Sequence, residues 1–152
     1  LAGMPIARLL TGAAATCTLT SQLTITQDVQ YSLATGFIFA GAYGFSCTTL
    51  TDNATSTARN ITLSAGAEYF VTNSLYIQSG WTGSRCSITS GTSGTKAKLT
   101  ISPSATIFLP NCNFTDIDAS NGKTIWVYNG TISNCDNVRQ LSASPVNVSS
   151  TF

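Results

Sequence analysis

The chain of 152 residues contains no histidine. That removes Ser–His and Cys–His nucleophilic couples and the commonest nitrogen ligand of zinc. Charge is scarce as well: seven Lys and Arg against six Asp and Glu leave a net charge of +1. Ordinary domains carry roughly a quarter charged residues, so neutral groups must keep this chain soluble. There is no basic stripe for nucleic acid and no acidic tail. The longest apolar stretch, Gly36 to Phe45, falls short of the ~20 residues a bilayer span requires. No Cys-x-x-Cys pair occurs, and Gly91-Thr92-Ser93-Gly94-Thr95-Lys96 lacks the remaining positions of a phosphate-binding loop, so it reads as a loop between strands.

Few acids are available for chemistry. Asp116 and Asp118 are the one close pair, and at i, i+2 on a strand they would project from one face. Glycoside hydrolysis commonly uses two carboxylates, but the Asp clusters with His, Arg or Lys of polysaccharide-cleaving β-helix enzymes are absent. A calcium site gathers six to eight oxygens, and no third acid lies nearby in sequence. The pair reads as turn aspartates. The expectation is a non-enzymatic protein with no cofactor and no metal.

What is present is hydroxyl and amide. Ser and Thr number 43 and Asn 10, a surface that barely titrates and suits an extracellular or cell-surface protein. The chain starts at Leu1, read as a mature form whose leader has been removed. Five sites fit Asn-x-Ser/Thr, at Asn53, Asn60, Asn113, Asn129 and Asn147, and they are candidates for N-linked glycans. Five cysteines, Cys17, Cys47, Cys86, Cys112 and Cys135, read as disulfide candidates in an oxidising compartment. Cys47 with Cys86 and Cys112 with Cys135 are plausible pairs, leaving Cys17 for a bond between subunits or a free thiol; spacing alone does not decide connectivity.

An apolar–polar–apolar tag recurs every 38 residues, as Leu23-Thr24-Ile25, Ile61-Thr62-Leu63 and Leu99-Thr100-Ile101. Downstream, Tyr31 aligns with Tyr69 and Ile107, and Leu33 with Val71 and Leu109. A fixed period marks a repeat architecture in which each unit buries its apolar face against neighbours. Within a repeat, short alternating runs are broken at Pro103-Ser104, Pro110-Asn111, Ala65-Gly66 and Thr72-Asn73, which are strand and turn signals. The class is all-β: a parallel β-helix with ~38-residue repeats, or alternatively an antiparallel pilin-like sandwich with strand exchange. The boundaries read as an arm or cap over residues 1–22, a repeat domain over 23–138 and a strand-like tail over 139–152.

The stretch from Ile61 to Ile77, and again from Leu99 to Ile117, resembles the rungs of secreted right-handed parallel β-helix proteins. Autotransporter passengers and filamentous haemagglutinin-type adhesins are the nearest kin, and the resemblance covers about residues 23 to 138. It implies a coiled surface protein. Met4, Ile6, Leu9 and Leu10 make the N-terminal segment apolar, an assembly arm that reaches into a neighbouring copy or folds back as a cap. The expected object is therefore the subunit of a surface filament, assembled head to tail with itself as partner. The alternative is a monomeric adhesin that binds glycans through a lateral sheet face. Trp81, Trp126 and Tyr128 bear on that choice: Trp126-Val127-Tyr128 puts both rings on one strand face, read foremost as core or subunit packing and otherwise as a platform for sugar rings.

Overall fold

The computed structural model describes residues 6–11, 15–31, 37–52, 60–77 and 86–141. The regular elements among them are fifteen strands. They are β1 (Ile6–Thr11), β2 (Ala15–Leu19), β3 (Leu23–Tyr31), β4 (Phe37–Gly41), β5 (Phe45–Asp52), β6 (Asn60–Leu63), β7 (Glu68–Ile77) and β8 (Cys86–Ser90). Then come β9 (Ala97–Ile101), β10 (Thr106–Phe108), β11 (Cys112–Thr115), β12 (Ile117–Asp118), β13 (Ile125–Val127), β14 (Ile132–Ser133) and β15 (Val138–Gln140).

Every pairing between named strands is parallel, and neighbours in a sheet are never neighbours in sequence. The first sheet runs β1-β3-β5-β7-β9-β12 with β10 also on β7, the second β2-β4-β6-β8-β11-β14, and β13 pairs with β15 in a third. A chain that alternates between the first two sheets from β1 to β9, always in the same direction, is a coil: a parallel β-solenoid. The antiparallel sandwich is thereby set aside.

The coil has three faces. In β3, β5 and β7 the register shifts partway along, between Ile25 and Asp28 and between Cys47 and Thr49. Such bulges bend strands, and here they fold each long strand around a corner. Past β7 the two halves separate: Tyr69 and Val71 continue onto Leu99 and Ile101 of β9, while Ser74, Leu75 and Tyr76 continue onto Thr106, Ile107 and Phe108 of β10. The first face thus holds the early halves of the long strands with β9 and β12. The second holds their late halves with β10, and the third is the β2-to-β14 sheet.

Alternation accounts for the core. In β8, Cys86, Ile88 and Ser90 point inward, and in β7, Tyr69, Val71, Leu75 and Ile77 do. Stacked rungs then turn period-two patterning into ladders such as Phe37–Ile61–Ile88–Phe114 on the third face. Phe37, Phe39, Phe45 and Tyr69 interlock edge-on, with successive centroids 4.7, 4.9 and 5.0 Å apart. Each such large side chain removed from water stabilises the fold by ~1.5–3 kcal/mol. Tyr69 is wholly buried, and its hydroxyl accepts a hydrogen bond from the Ser64 N–H at 2.9 Å.

Two expectations change. The 38-residue tags do not stack on one another. Leu23 lies beside Phe45 and Leu99 beside Tyr69 on the first face, whereas Ile61 lies between Phe37 and Ile88 on the third. Alternation demands only a strand with one buried side; it does not say which face of the coil that strand joins. Nor do the described strands of the first 22 residues stand outside the coil. β1 pairs with β3 and β2 with β4, making the first rung, and Leu9 packs against the core. Ile6 and Leu10 lie in β1, while Met4 falls outside the described residues.

The last rungs follow a tighter rule. Contacts recur at a separation of 18: Asn129 Nδ2 donates to Asn111 Oδ1 at 2.6 Å, the Thr131 N–H donates to Asn113 Oδ1 at 2.9 Å, and Asn137 Nδ2 donates to the Ala119 carbonyl at 3.0 Å. Asn111, Asp116, Asn129, Asn134 and Asn137 all have positive φ, between 50° and 56°. Asn and Asp tolerate that left-handed corner because their side chains bond locally. The corner following Asn129 also needs glycine, since a Cβ on Gly130 would sit 1.8 Å from the Cys112 carbonyl oxygen.

Candidate functional site

The second face presents two outward columns. Thr49, Ser74 and Thr106 stand in register and form a hydroxyl column. Two residues further along each strand, Tyr76 and Phe108 stand in register, with buried Thr51 on the rung before them. Their intervening neighbours Leu50, Leu75 and Ile107 point inward. Tyr76 and Phe108 stack nearly parallel, with centroids 4.9 Å apart at 17°.

The next rung extends this ring column. Pro110 bridges to Tyr128, and the Asn111 N–H donates to the Tyr128 carbonyl at 3.1 Å. The same separation of 18 relates Phe108 to Trp126 in β13. Ile125 and Val127 are buried, so Trp126 and Tyr128 point outward, and Trp126 is 51% exposed. Core packing is therefore excluded for Trp126. Trp81 lies outside the described residues. The rings adjoin uncharged groups: Thr106, Thr124, Pro110 and the Asn111–Asn129 amide pair. Arg139, in register with Trp126 on β15, closes the column.

The aspartates occupy a different corner. Asp116 lies at a positive-φ bend between β11 and β12, which breaks the simple i, i+2 alternation expected with Asp118. Its Oδ1 accepts from Asn134 Nδ2 and its Oδ2 from the Gly94 N–H at 3.0 Å. These hydrogen bonds hold its carboxyl below the usual carboxylate range, with Lys96 adding a smaller attraction. Asp118 Oδ1 accepts from the Ser120 hydroxyl and N–H at 2.5 and 2.9 Å, which lowers its pKa too. Both carboxylates tie turns together. Lys96 pairs with Asp136 at 2.7 Å. Among the described residues no group of three or more Cys, Asp or Glu gathers as a metal site, and no helix is long and apolar enough to cross a membrane.

Of the sequon asparagines, Asn60 and Asn129 are exposed and Asn113 is half-buried, all on the outside of the coil. Asn60 Oδ1 accepts from Ser87 at 2.5 Å. Asn53 and Asn147 lie outside the described residues. The cysteines do not fall into the expected pairs. Cys47, on the first face, stands between Ile25 and Val71, and burial first, then the charge of Asp28, pushes its thiol up to about 12. Cys86 and Cys112 stand opposite one another on the third face. Cys135 Sγ accepts from the Ile117 N–H at 3.4 Å, and Cys17 is half-buried beside Phe39 on the first rung.

Sequence reasoning found Trp126 and Tyr128 but missed Tyr76 and Phe108, and it missed the Asn ladder. The signal existed: Asn111-Cys-Asn-Phe-Thr-Asp-Ile-Asp118 repeats 18 residues later as Asn129-Gly-Thr-Ile-Ser-Asn-Cys-Asp136. Comparisons with protein-family models, with curated proteins and with solved structures returned no match. The functional reading rests on the chain's own geometry.

Proposed function

We propose that this chain is a non-enzymatic extracellular surface protein that binds neutral saccharide chains along the second face of its coil, an adhesin-type module. The observation that carries the reading is the outward column of Tyr76, Phe108 and exposed Trp126 beside a column of hydroxyls. Flat ring faces pack against the C–H side of a sugar ring, while flanking hydroxyl and amide groups bond its rim; a surface indole loses water favourably in such a contact. Rungs repeat at ~4.8 Å, so an extended chain lying along the coil axis meets successive rings. Apart from Arg139 beside Trp126, the groups named along the column are uncharged, which favours an uncharged ligand. Glycans on Asn60 or Asn129 belong to the same extracellular reading.

Co-sedimentation of the folded protein with insoluble cellulose, chitin and xylan tests it. Retention on at least one of the three is expected, and failure on all three overturns the reading.

A head-to-tail filament is the second reading. Its supporting observation is the open first edge of the coil. β1 and β2 each pair on one side only among the described residues, and an unpaired parallel edge is a template for another strand. Regular fibres by negative-stain electron microscopy would favour it; dispersed particles that sediment with polysaccharide would favour the adhesin.

A further inference from the structure

We propose that Cys86 and Cys112 form a disulfide that staples two successive rungs of the third face. They are direct partners in the parallel register of β8 and β11, and both side chains are fully buried. Neighbouring strands lie ~4.7–4.9 Å apart, inside the ~4.4–6.8 Å Cα separation that disulfides span. Both are free thiols whose side chains point the same way into the coil, each Sγ lying near the carbonyl of the next residue, Ser87 at 4.0 Å and Asn113 at 3.9 Å. No other two cysteines among the described residues are register partners: Cys47 stacks on Ile25 and Val71, and Cys17 on Phe39. The pairing departs from the one spacing alone suggests, because Cys47 and Cys86 lie on different faces.

The step is a thiol–disulfide exchange. The Cys86 and Cys112 thiols lose two protons and two electrons to a small-molecule disulfide such as oxidised glutathione, which leaves as two thiols. One S–S bond breaks and one forms. The attacking species is a thiolate, and the adjacent Cys86 thiol first, then burial, disfavours the thiolate of Cys112 in the closed coil. The exchange therefore belongs to folding, before β11 seals onto β8, and the finished bond is shielded from reductant.

Peptide mapping reads the result directly. Cys86 lies in the tryptic stretch ending at Lys96, and Cys112 in that from Leu99 to Lys123, so their linkage yields one diagnostic cross-linked mass. The full chain is refolded in a glutathione redox buffer, its remaining thiols are alkylated in denaturant, and it is digested without reduction. The expected product joins the two stretches and leaves Cys47 alkylated. Alkylation of both Cys86 and Cys112, or linkage of either to another cysteine, overturns the proposal. A closed loop of this size raises Tm by about 10 °C. The difference between oxidised and reduced protein should vanish in Cys112→Ala. A difference that persists in that variant counts against the pair.

Discussion

The two halves of the coil fill their interiors differently. In the N-terminal half, long strands enclose a wide interior, and Phe37, Phe39, Phe45 and Tyr69 fill it. In the C-terminal half strands shrink to two to four residues after β9, and the interior closes on Ala105, Ala119, Ile117, Ile125, Val127 and Val138, with Phe114 the large exception. There the rings of Phe108, Trp126 and Tyr128 turn outward. The hydrogen bonding differs in parallel. Wide rungs are joined by backbone ladders and occasional hydroxyls, such as Ser64 to the Phe39 carbonyl at 2.8 Å. Narrow rungs need a corner every few residues, and Asn and Asp in left-handed geometry supply it. The narrow half is thus specified by its corners as much as by its core, and a ring absent from the core is available to a ligand.

The sharpest way to break this contrast is to delete one ring from each half. Phe45→Ala should destabilise by about 3–5 kcal/mol, the range for a buried Phe, whereas Phe108→Ala should cost well under half of that. Urea unfolding compares the two, and equal losses would erase the distinction between inner and outer rings.

The corners come next. Asn129→Ala removes both the amide bond to Asn111 and the tolerance for φ near 51°, a loss of about 1–2 kcal/mol. Asn129→Gly should recover the conformational part only. If the alanine variant unfolds like the parent protein, the ladder is decoration.

Acid supplies a third test. The folded-state pKa values of Asp116 and Asp118 lie below their unfolded values. Their contribution is therefore complete above the unfolded value of ~3.9 and disappears as pH falls through the lower, folded pKa. Urea midpoints should hold from pH 7 to about 4 and drop below it. Asp116→Asn preserves an amide partner for Asn134 but points an N–H at the Gly94 N–H, so it should lower the urea midpoint at neutral pH and make the acid drop shallower. An unchanged acid limb would show that this corner does not sense protons.

Strand positions were legible in the sequence because period-two alternation reports burial directly, as in Ile61 to Leu63 and Leu99 to Ile101. The parallel coil was legible as a repeat. The pitch was not: connections of unequal length put Leu23 and Leu99 on one face and Ile61 on another while preserving the same local pattern. The 18-residue ladder was written in Asn111 to Asp118 and its echo at Asn129 to Asp136, but only two copies exist, too few to stand out. Half of the ring column was visible, since Trp126 and Tyr128 share a strand. Tyr76 and Phe108 lie on separate rungs, and only the register between β7 and β10 brings them together.

The smallest expected effect on stability belongs to Trp126→Ala, within about 0.5 kcal/mol for an exposed position, and this variant gives the most direct test of the ring column as a binding surface. Depletion of the folded variant and the parent protein is measured on whichever of cellulose, chitin or xylan retains the parent. The column predicts that the variant stays in solution while its urea midpoint is unchanged. Equal depletion of both proteins would contradict it.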